Sequence, residues 1–332
     1  MPNLYANIDR LMRTVKQWFA ATRYRHVTLL AHLLCALLWA DSSYAQVPEP
    51  GRVLILMSQH SAPYEEVADE LSKGITAVMP DTEIRRADNS ELATQQGDAE
   101  IIVAVGSEAG ELAAENAPQV PVLNMLVPQQ MHQHLARRHQ HRKAGHYSAI
   151  YLDQPPARQI DLIRLAFPDR KSIGVLAGPA SVFVVPGLQA ACVSRDVDLI
   201  VAKAQGPAEL AAALRQLTQE ADVLLALADP AIQNSGTVRN ILISAYRASL
   251  PVVAFSPSYV AAGAVLALYS TPRQMGRQGA DAILQWLRDR SLPPPQYPSE
   301  FEIAINENVA RSLNLVIDPV STLTDKMRRA KP

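Results

Sequence analysis

From residue 52 onward the chain alternates short, almost wholly apolar runs with longer amphipathic segments, and it completes that cycle twice. The first run, RVLILM at 52–57, lacks alternation, the pattern of a strand covered on both faces. Residues 63–79 then place Val67, Leu71, Ile75 and Val78 at helical spacing. Glu65, Glu66, Asp69 and Glu70 stand near the start of that segment, where the helix dipole favours acids. Further strands are expected at 82–87, 100–105 and 120–126, with a helix running from Gly106-Ser107 to about residue 116. Strand, helix, strand, helix in this order requires a parallel sheet with right-handed crossovers.

The rhythm restarts near Tyr151. Helices are expected at 157–167, 187–194, 207–220 and 234–248, and strands at 172–177, 197–204, 222–228 and 251–256. A tail follows with a strand at 263–269, an amphipathic helix at 273–290, the stiff connector Leu292-Pro293-Pro294-Pro295, a strand at 300–305 and a short helix at 307–313. The fold class implied is α/β, with two doubly wound parallel-sheet lobes. Residues 51–150 plus 260–292 are assigned to the N-terminal lobe, 151–259 plus 293–320 to the C-terminal lobe, and 321–332 to a tail. Hinge crossovers are expected near 148–153, 256–262 and 292–297.

The first 45 residues follow another pattern. Arg10, Arg13, Lys16, Arg23 and Arg25 precede the apolar run VTLLAHLLCALLW at 27–39, and small residues stand at 43 and 45. That is the layout of a signal peptide at 1–45 cleaved after Ala45, with Met1 or Met12 as the start. The apolar run is short of the roughly 20 residues of a spanning helix; a retained anchor is the alternative. Leu34 before Cys35 is not small, which excludes lipidation. The rest of the chain then keeps only Cys192 and so has no intramolecular disulfide. In the apolar stretch LQAACV, Cys192 reads as a small buried hydrophobe. Net charge is −1 over 332 residues, which argues against nucleic acid as a partner.

In parallel α/β lobes, ligands sit beyond the carboxyl ends of strands, where helix N-termini present unpaired N–H groups. That rule selects Ser58, Gln59 and His60 after the first strand, and Ser107 and Glu108 after the third. In the second lobe it selects Ser181, Asp229, Asn234, Ser256 and Tyr259. Each is also a candidate helix cap or turn residue. Ser107 and its helix N-terminus suit a carboxylate, and Glu108 and Asp229 suit an ammonium, a combination fitting an amino acid. Gly106-Ser107-Glu108-Ala109-Gly110 fails as a nucleophile elbow because Val105 stands where the pattern needs glycine. Residues 131–146 carry His132, His134, His139, His141 and His146 among Arg137, Arg138, Arg142 and Lys143. Two His-x-His pairs could hold Zn²⁺ or Cu²⁺, but the interspersed cations favour a solvated basic helix, and no metal or cofactor is expected.

Four segments then resemble landmarks of one family in order and spacing: QIDLIRLAFPDRKSIGVLAGPAS, DVLLALADPAIQNS, PVVAFSPSYVAAGAVLALYSTPRQMGRQGADAIL and PPPQYPSEFEIAINENVARSLNL. The sequence resembles the ABC-transporter substrate-binding proteins of the type I periplasmic fold, in the subgroup with tryptophan- and tyrosine-binding members. The likeness is strongest over 157–318. In the first lobe Leu126-Val127-Pro128 stands where the family carries an Asp-Pro, and His146-Tyr147-Ser148-Ala149 where it carries Asn-Val-Thr-Gly. The resemblance implies a periplasmic, monomeric, non-enzymatic protein that captures a small-molecule solute and passes it to an ABC permease in the inner membrane. A sensor of the same fold without a permease, an exported hydrolase and a His-rich metal carrier are the rival readings.

Overall fold

The computed structural model describes residues 51–92, 96–139 and 143–329. The expected signal peptide at 1–45 and His141 of the His-rich segment lie outside the described residues.

In chain order the elements are β1 (Arg52–Met57), α1 (Ala62–Val78), β2 (Glu83–Asp88), β3 (Ile101–Val105), α2 (Ser107–Asn116), β4 (Val122–Val127), α3 (Gln129–Arg138) and β5 (Tyr147–Tyr151). Then come α4 (Pro156–Ala166), β6 (Ser172–Ala177), α5 (Val185–Val193), β7 (Asp198–Lys203), α6 (Pro207–Glu220), β8 (Val223–Leu225), α7 (Val238–Arg247), β9 (Val252–Ala254) and α8 (Pro257–Ala262). The chain ends with β10 (Leu266–Tyr269), α9 (Pro272–Asp289), β11 (Glu302–Ile305), α10 (Glu307–Ser312) and α11 (Val320–Arg329).

The strands form two sheets, ordered β2-β1-β3-β4-β5 and β7-β6-β8-β9-β10-β11. One strand order therefore occurs twice, all parallel, with β11 added antiparallel to β10. The apolar runs explain this. Every residue of β3, β8 and β9 is buried, as strands covered by helices on both faces must be. On one face of the first sheet, Val53, Ile55, Val103 and Met125 pack with Leu71 and Ile75 of α1 and Ile283 of α9; on the other, Leu54, Leu56 and Ile102 pack with Ala109 and Ala113 of α2. The second sheet is sandwiched likewise, by α4, α5 and α11 on one side and α6, α7 and α8 on the other. Cys192 lies in the first of these cores, and burial pushes its thiol up to about 11, so it behaves as a small hydrophobe.

The exchange between lobes differs from the expected boundaries. Strand β10 pairs with β9, and Tyr259 and Val260 of α8 lie in a core of the second lobe. Residues 260–269 thus belong to that lobe, and the expected hinge at 256–262 is a helix within it. Helix α9 returns to the first lobe. Residues 293–297 also stay there: Gln296 bridges Ile150 of β5, and the Ser148 hydroxyl donates to the Pro293 carbonyl at 2.5 Å. The supposed tail folds as α11, with Leu323 and Met327 buried beside α4. The three passes between lobes are therefore 152–155, 270–271 and 298–301.

A buried amide joins these passes. Gln154 Nε2 donates to Ser270 Oγ (2.8 Å), and Ser270 Oγ donates to the Glu300 carbonyl (2.6 Å). Arg158 Nη1 donates to Gln154 Oε1 (2.8 Å) and to the Pro298 carbonyl (2.9 Å).

Helix α9 can join the first lobe because it carries glycine where it crosses α1. A Cβ on Gly276 would stand 2.8 Å from both Glu70 Cβ and the Val67 carbonyl oxygen. Gly276→Val is expected to destabilise the protein by about 1–3 kcal/mol through overpacking, read from urea unfolding; an unchanged midpoint would contradict this helix pairing.

Candidate functional site

A cavity of about 290 Å³ opens across the carboxyl ends of β6, β8, β9 and β10 in the second lobe. Apolar and aromatic groups dominate its wall: Phe183 and Leu188, Leu225 and Leu227, Val253 and Phe255, Leu268 and Tyr269. The first lobe contributes Pro128 and Gln129, and the first pass between lobes contributes Leu152, Asp153 and Gln154, with Tyr297 at the end of the connector. Since β4 and β5 deliver Gln129 and Asp153 here, and the first sheet is wholly parallel, the carboxyl ends of β1 and β3 lie along the same edge of that sheet.

The local chain in β4 explains how Gln129 arrives. Pairing between β4 and β5 slips between Met125 and Val127, and Leu126 takes a left-handed φ of 53°. Such a bulge re-aims a strand end. Asp153 then fixes the start of α3, its Oδ2 accepting from the Gln129 N–H at 2.6 Å, while Tyr297 donates its hydroxyl to Gln129 Oε1 at 2.9 Å. Asp153 is half-buried; burial raises its carboxyl pKa, and the Gln129 N–H opposes the rise. Tyr151, edge-on to Tyr297 at 5.3 Å, is pushed up to about 12 by burial and by the neighbouring Tyr297 and Asp153.

Of the residues chosen from sequence, Ser181 and Ser256 line this cavity. Ser256 also caps α8, accepting from the Tyr259 N–H at 3.3 Å. Asp229 does not reach the cavity wall. It is buried, and its carboxylate accepts from Ser181 Oγ (2.8 Å) and from the N–H groups of Ala180 (2.9 Å) and Ala231 (3.0 Å). Its oxygens hold the loops together, which corrects the expectation that it awaits an ammonium. Asn234 forms a turn, accepting from Gly236 N–H at 3.1 Å, in a second depression between α6 and α7. Tyr259 is buried and donates to Gln233 Oε1 at 2.5 Å, and burial raises its phenol pKa.

In the first lobe, Ser58 Oγ accepts from the Ala109 N–H at 2.9 Å and so serves the first turn of α2. Gly106 makes room for it: φ is 97°, and a Cβ there would stand 2.5 Å from Ser58 Oγ. Gln59 and Glu108 are exposed and Ser107 partly so; Asn89 Nδ2 reaches Glu108 at 3.4 Å, and His60 pairs with Glu65 at 2.8 Å. None of these first-lobe residues lines the cavity as it stands. Gln129, Asp153 and Tyr297 were missed. The strand-end rule applied to β4 and β5 as well would have found the first two, but β5 sat in a segment without clear periodicity.

The His-rich segment is only partly a solvated face. His132 and Leu135 of α3 are buried, and the His132 ring stacks on Tyr147 at 4.9 Å. Asn124 Nδ2 points to the Ser148 carbonyl and to His132 Nδ1, both at 3.3 Å, so Nδ1 accepts and the ring is neutral. Burial lowers its pKa to about 4. Among the described residues no three His, Cys, Asp or Glu side chains converge as metal ligands.

Two wound α/β lobes, with a largely apolar cavity at the strand ends where they meet, are the architecture of a cleft-type binding protein. Residues 65–326 match the family described as ABC transporter substrate binding protein, and the chain belongs to it. Among solved structures, the chain is similar to an ABC domain in complex with L-Trp from Streptococcus pneumonia (16% identity, 83% of this chain and 98% of that one, TM-score 0.58). It is also similar to a conserved domain protein from Vibrio cholerae (19%, 82% and 97%, TM-score 0.59). A third likeness is to the ligand-free, open substrate-binding protein with adhesive properties from Clostridium difficile (15%, 81% and 96%, TM-score 0.65). No curated protein matches the chain in sequence.

Two outcomes follow. Asp229→Ala strands buried donors and is expected to cost about 1–3 kcal/mol, against a few tenths for Asn234→Ala, by chemical denaturation. For His132 the unfolded state binds a proton between pH 6.5 and about 4 while the folded state does not. Stability is therefore lost as pH falls through that window, by up to roughly 3 kcal/mol. His132→Phe should flatten that slope by up to one proton; an identical pH profile would contradict a neutral buried ring.

Proposed function

We propose that this chain is an exported, periplasmic solute receptor that closes two lobes on a small organic molecule and presents it, as a monomer, to an ABC permease in the inner membrane. The observation that carries this reading is the cavity itself. It is walled mainly by strand ends of the second lobe, touched by Pro128, Gln129 and Tyr297 of the first, and bordered by the first of the three passes between lobes. A guest there contacts both lobes and the segments about which they turn, so its binding energy is spent on holding them together.

In this reading Ser181 and Ser256 contact the solute from the second lobe, beside Gln129, Asp153 and Tyr297. Ser58, Gln59, Ser107 and Glu108 border the closing edge of the first lobe. Asp229, Asn234 and Tyr259 maintain the frame of the second. Family membership supports solute capture, and the basic and apolar pattern of residues 1–45 supports export.

The test is a thermal-shift screen of the purified protein against amino acids, amines, sugars and nucleosides, with hits followed by X-ray scattering. A solute at a hundred times its Kd stabilises by about 2.7 kcal/mol, and the bound protein should have a smaller radius of gyration. No shift from any small solute would overturn the reading.

A further inference from the structure

The charge inventory of the cavity narrows its guest. Asp153 is the single Asp, Glu, Lys, Arg or His side chain among the lining residues. One of its oxygens accepts from the Gln129 N–H, and no Lys, Arg or His among the described residues pairs with it. Arg158, on the helix that follows the first pass, is engaged elsewhere: Gln154 Oε1 and the Pro298 carbonyl take its Nη1, and its guanidinium lies over Phe301 at 5.1 Å. The other carboxylates first considered for an ammonium are unsuited. Asp229 is filled by internal donors, and Glu108 lies outside the lining.

Around this lone acid the wall is aromatic and aliphatic, with Tyr297 beside Asp153 and Phe183, Phe255 and Tyr269 beyond. A half-buried carboxylate without a cation is costly to keep ionised, and a ligand that brings the missing charge relieves that cost. Aromatic faces add attraction for the same cation. A ligand carboxylate would find no cation in this lining.

Resting on the reading of the cavity as a solute site, we infer that its guest is a compact organic amine with an aromatic or aliphatic body and no carboxylate, whose ammonium pairs with Asp153. This departs from the amino acid suggested by the sequence. It makes Asp153 the residue that sets ligand charge, while the apolar wall sets ligand size.

Three probes isolate the two groups in question: tryptamine, L-tryptophan, which adds a carboxylate, and indole-3-ethanol, which replaces the ammonium with a hydroxyl. Calorimetry on the full protein should show tryptamine binding at least tenfold more tightly than either. Asp153→Asn keeps an oxygen for the Gln129 N–H, so α3 stays capped; it should erase the advantage of tryptamine over indole-3-ethanol by weakening tryptamine at least tenfold.

L-Tryptophan binding as well as tryptamine would overturn the inference by showing that a carboxylate is accommodated. Equal binding of alcohol and amine by the unaltered protein would overturn it by removing the role of Asp153, whether or not the variant folds. If none of the three binds but a sugar or nucleoside does, the amine is overturned while solute capture stands. If no solute of any class binds, solute capture itself fails.

Discussion

Gln154 is buried where the three passes between lobes meet, and a buried amide has to find partners. It finds one on each of the other passes, directly at Ser270 and through Arg158 at Pro298. Pulling any pass away would leave buried donors and acceptors unmet, at about 1–3 kcal/mol for each group. The lobes are consequently free to turn about this point more easily than to separate from it. The cavity is built directly on it, since Asp153 and Gln154 are both neighbours in the first pass and part of the wall.

From there a chain of polar contacts extends into the first lobe. Asp153 holds the first N–H of α3, and Tyr297 holds the side chain of the same residue, Gln129. Behind them stand Tyr151 and the neutral ring of His132, packed at 5.9 Å. The floor of the cleft is thus braced and partly polar, while the wall from the second lobe is mostly apolar, with Ser181 and Ser256 among its polar groups. That division assigns orientation to one side and bulk to the other.

The double strand–helix rhythm was legible because strands covered on both faces, such as RVLILM and EIIVAV, leave long apolar runs that no turn or surface segment mimics. Which lobe each late element joins was not legible. Strand β10 and helix α9 are adjacent in sequence yet pack in different lobes, and only pairing with β9 and the glycine-lined crossing with α1 decide the matter. For the site, the strand-end rule reached the edge of the second sheet where the cavity opens but could not tell a cavity-lining residue from one that holds a loop or caps a helix. Ser181 bonds Asp229 while lining the cavity; Asp229 itself is consumed by three internal donors. Tyr297 gave no local signal at all, because it reaches the cavity from a proline-rich connector with no periodicity.

That connector also bears on how the first sheet's margin is closed. It runs along the open side of β5, with the Gln296 N–H bonded to the Ala149 carbonyl and the Tyr151 N–H bonded to the Gln296 carbonyl. Pro293, Pro294, Pro295 and Pro298 have no amide hydrogen to offer a further strand. The opposite margin, β2, is dressed with Glu83, Arg85 and Arg86 in ion pairs. Neither border of the first sheet is an open template on which a second molecule could stack edge to edge, so the first lobe is guarded on both margins against strand-to-strand polymerisation.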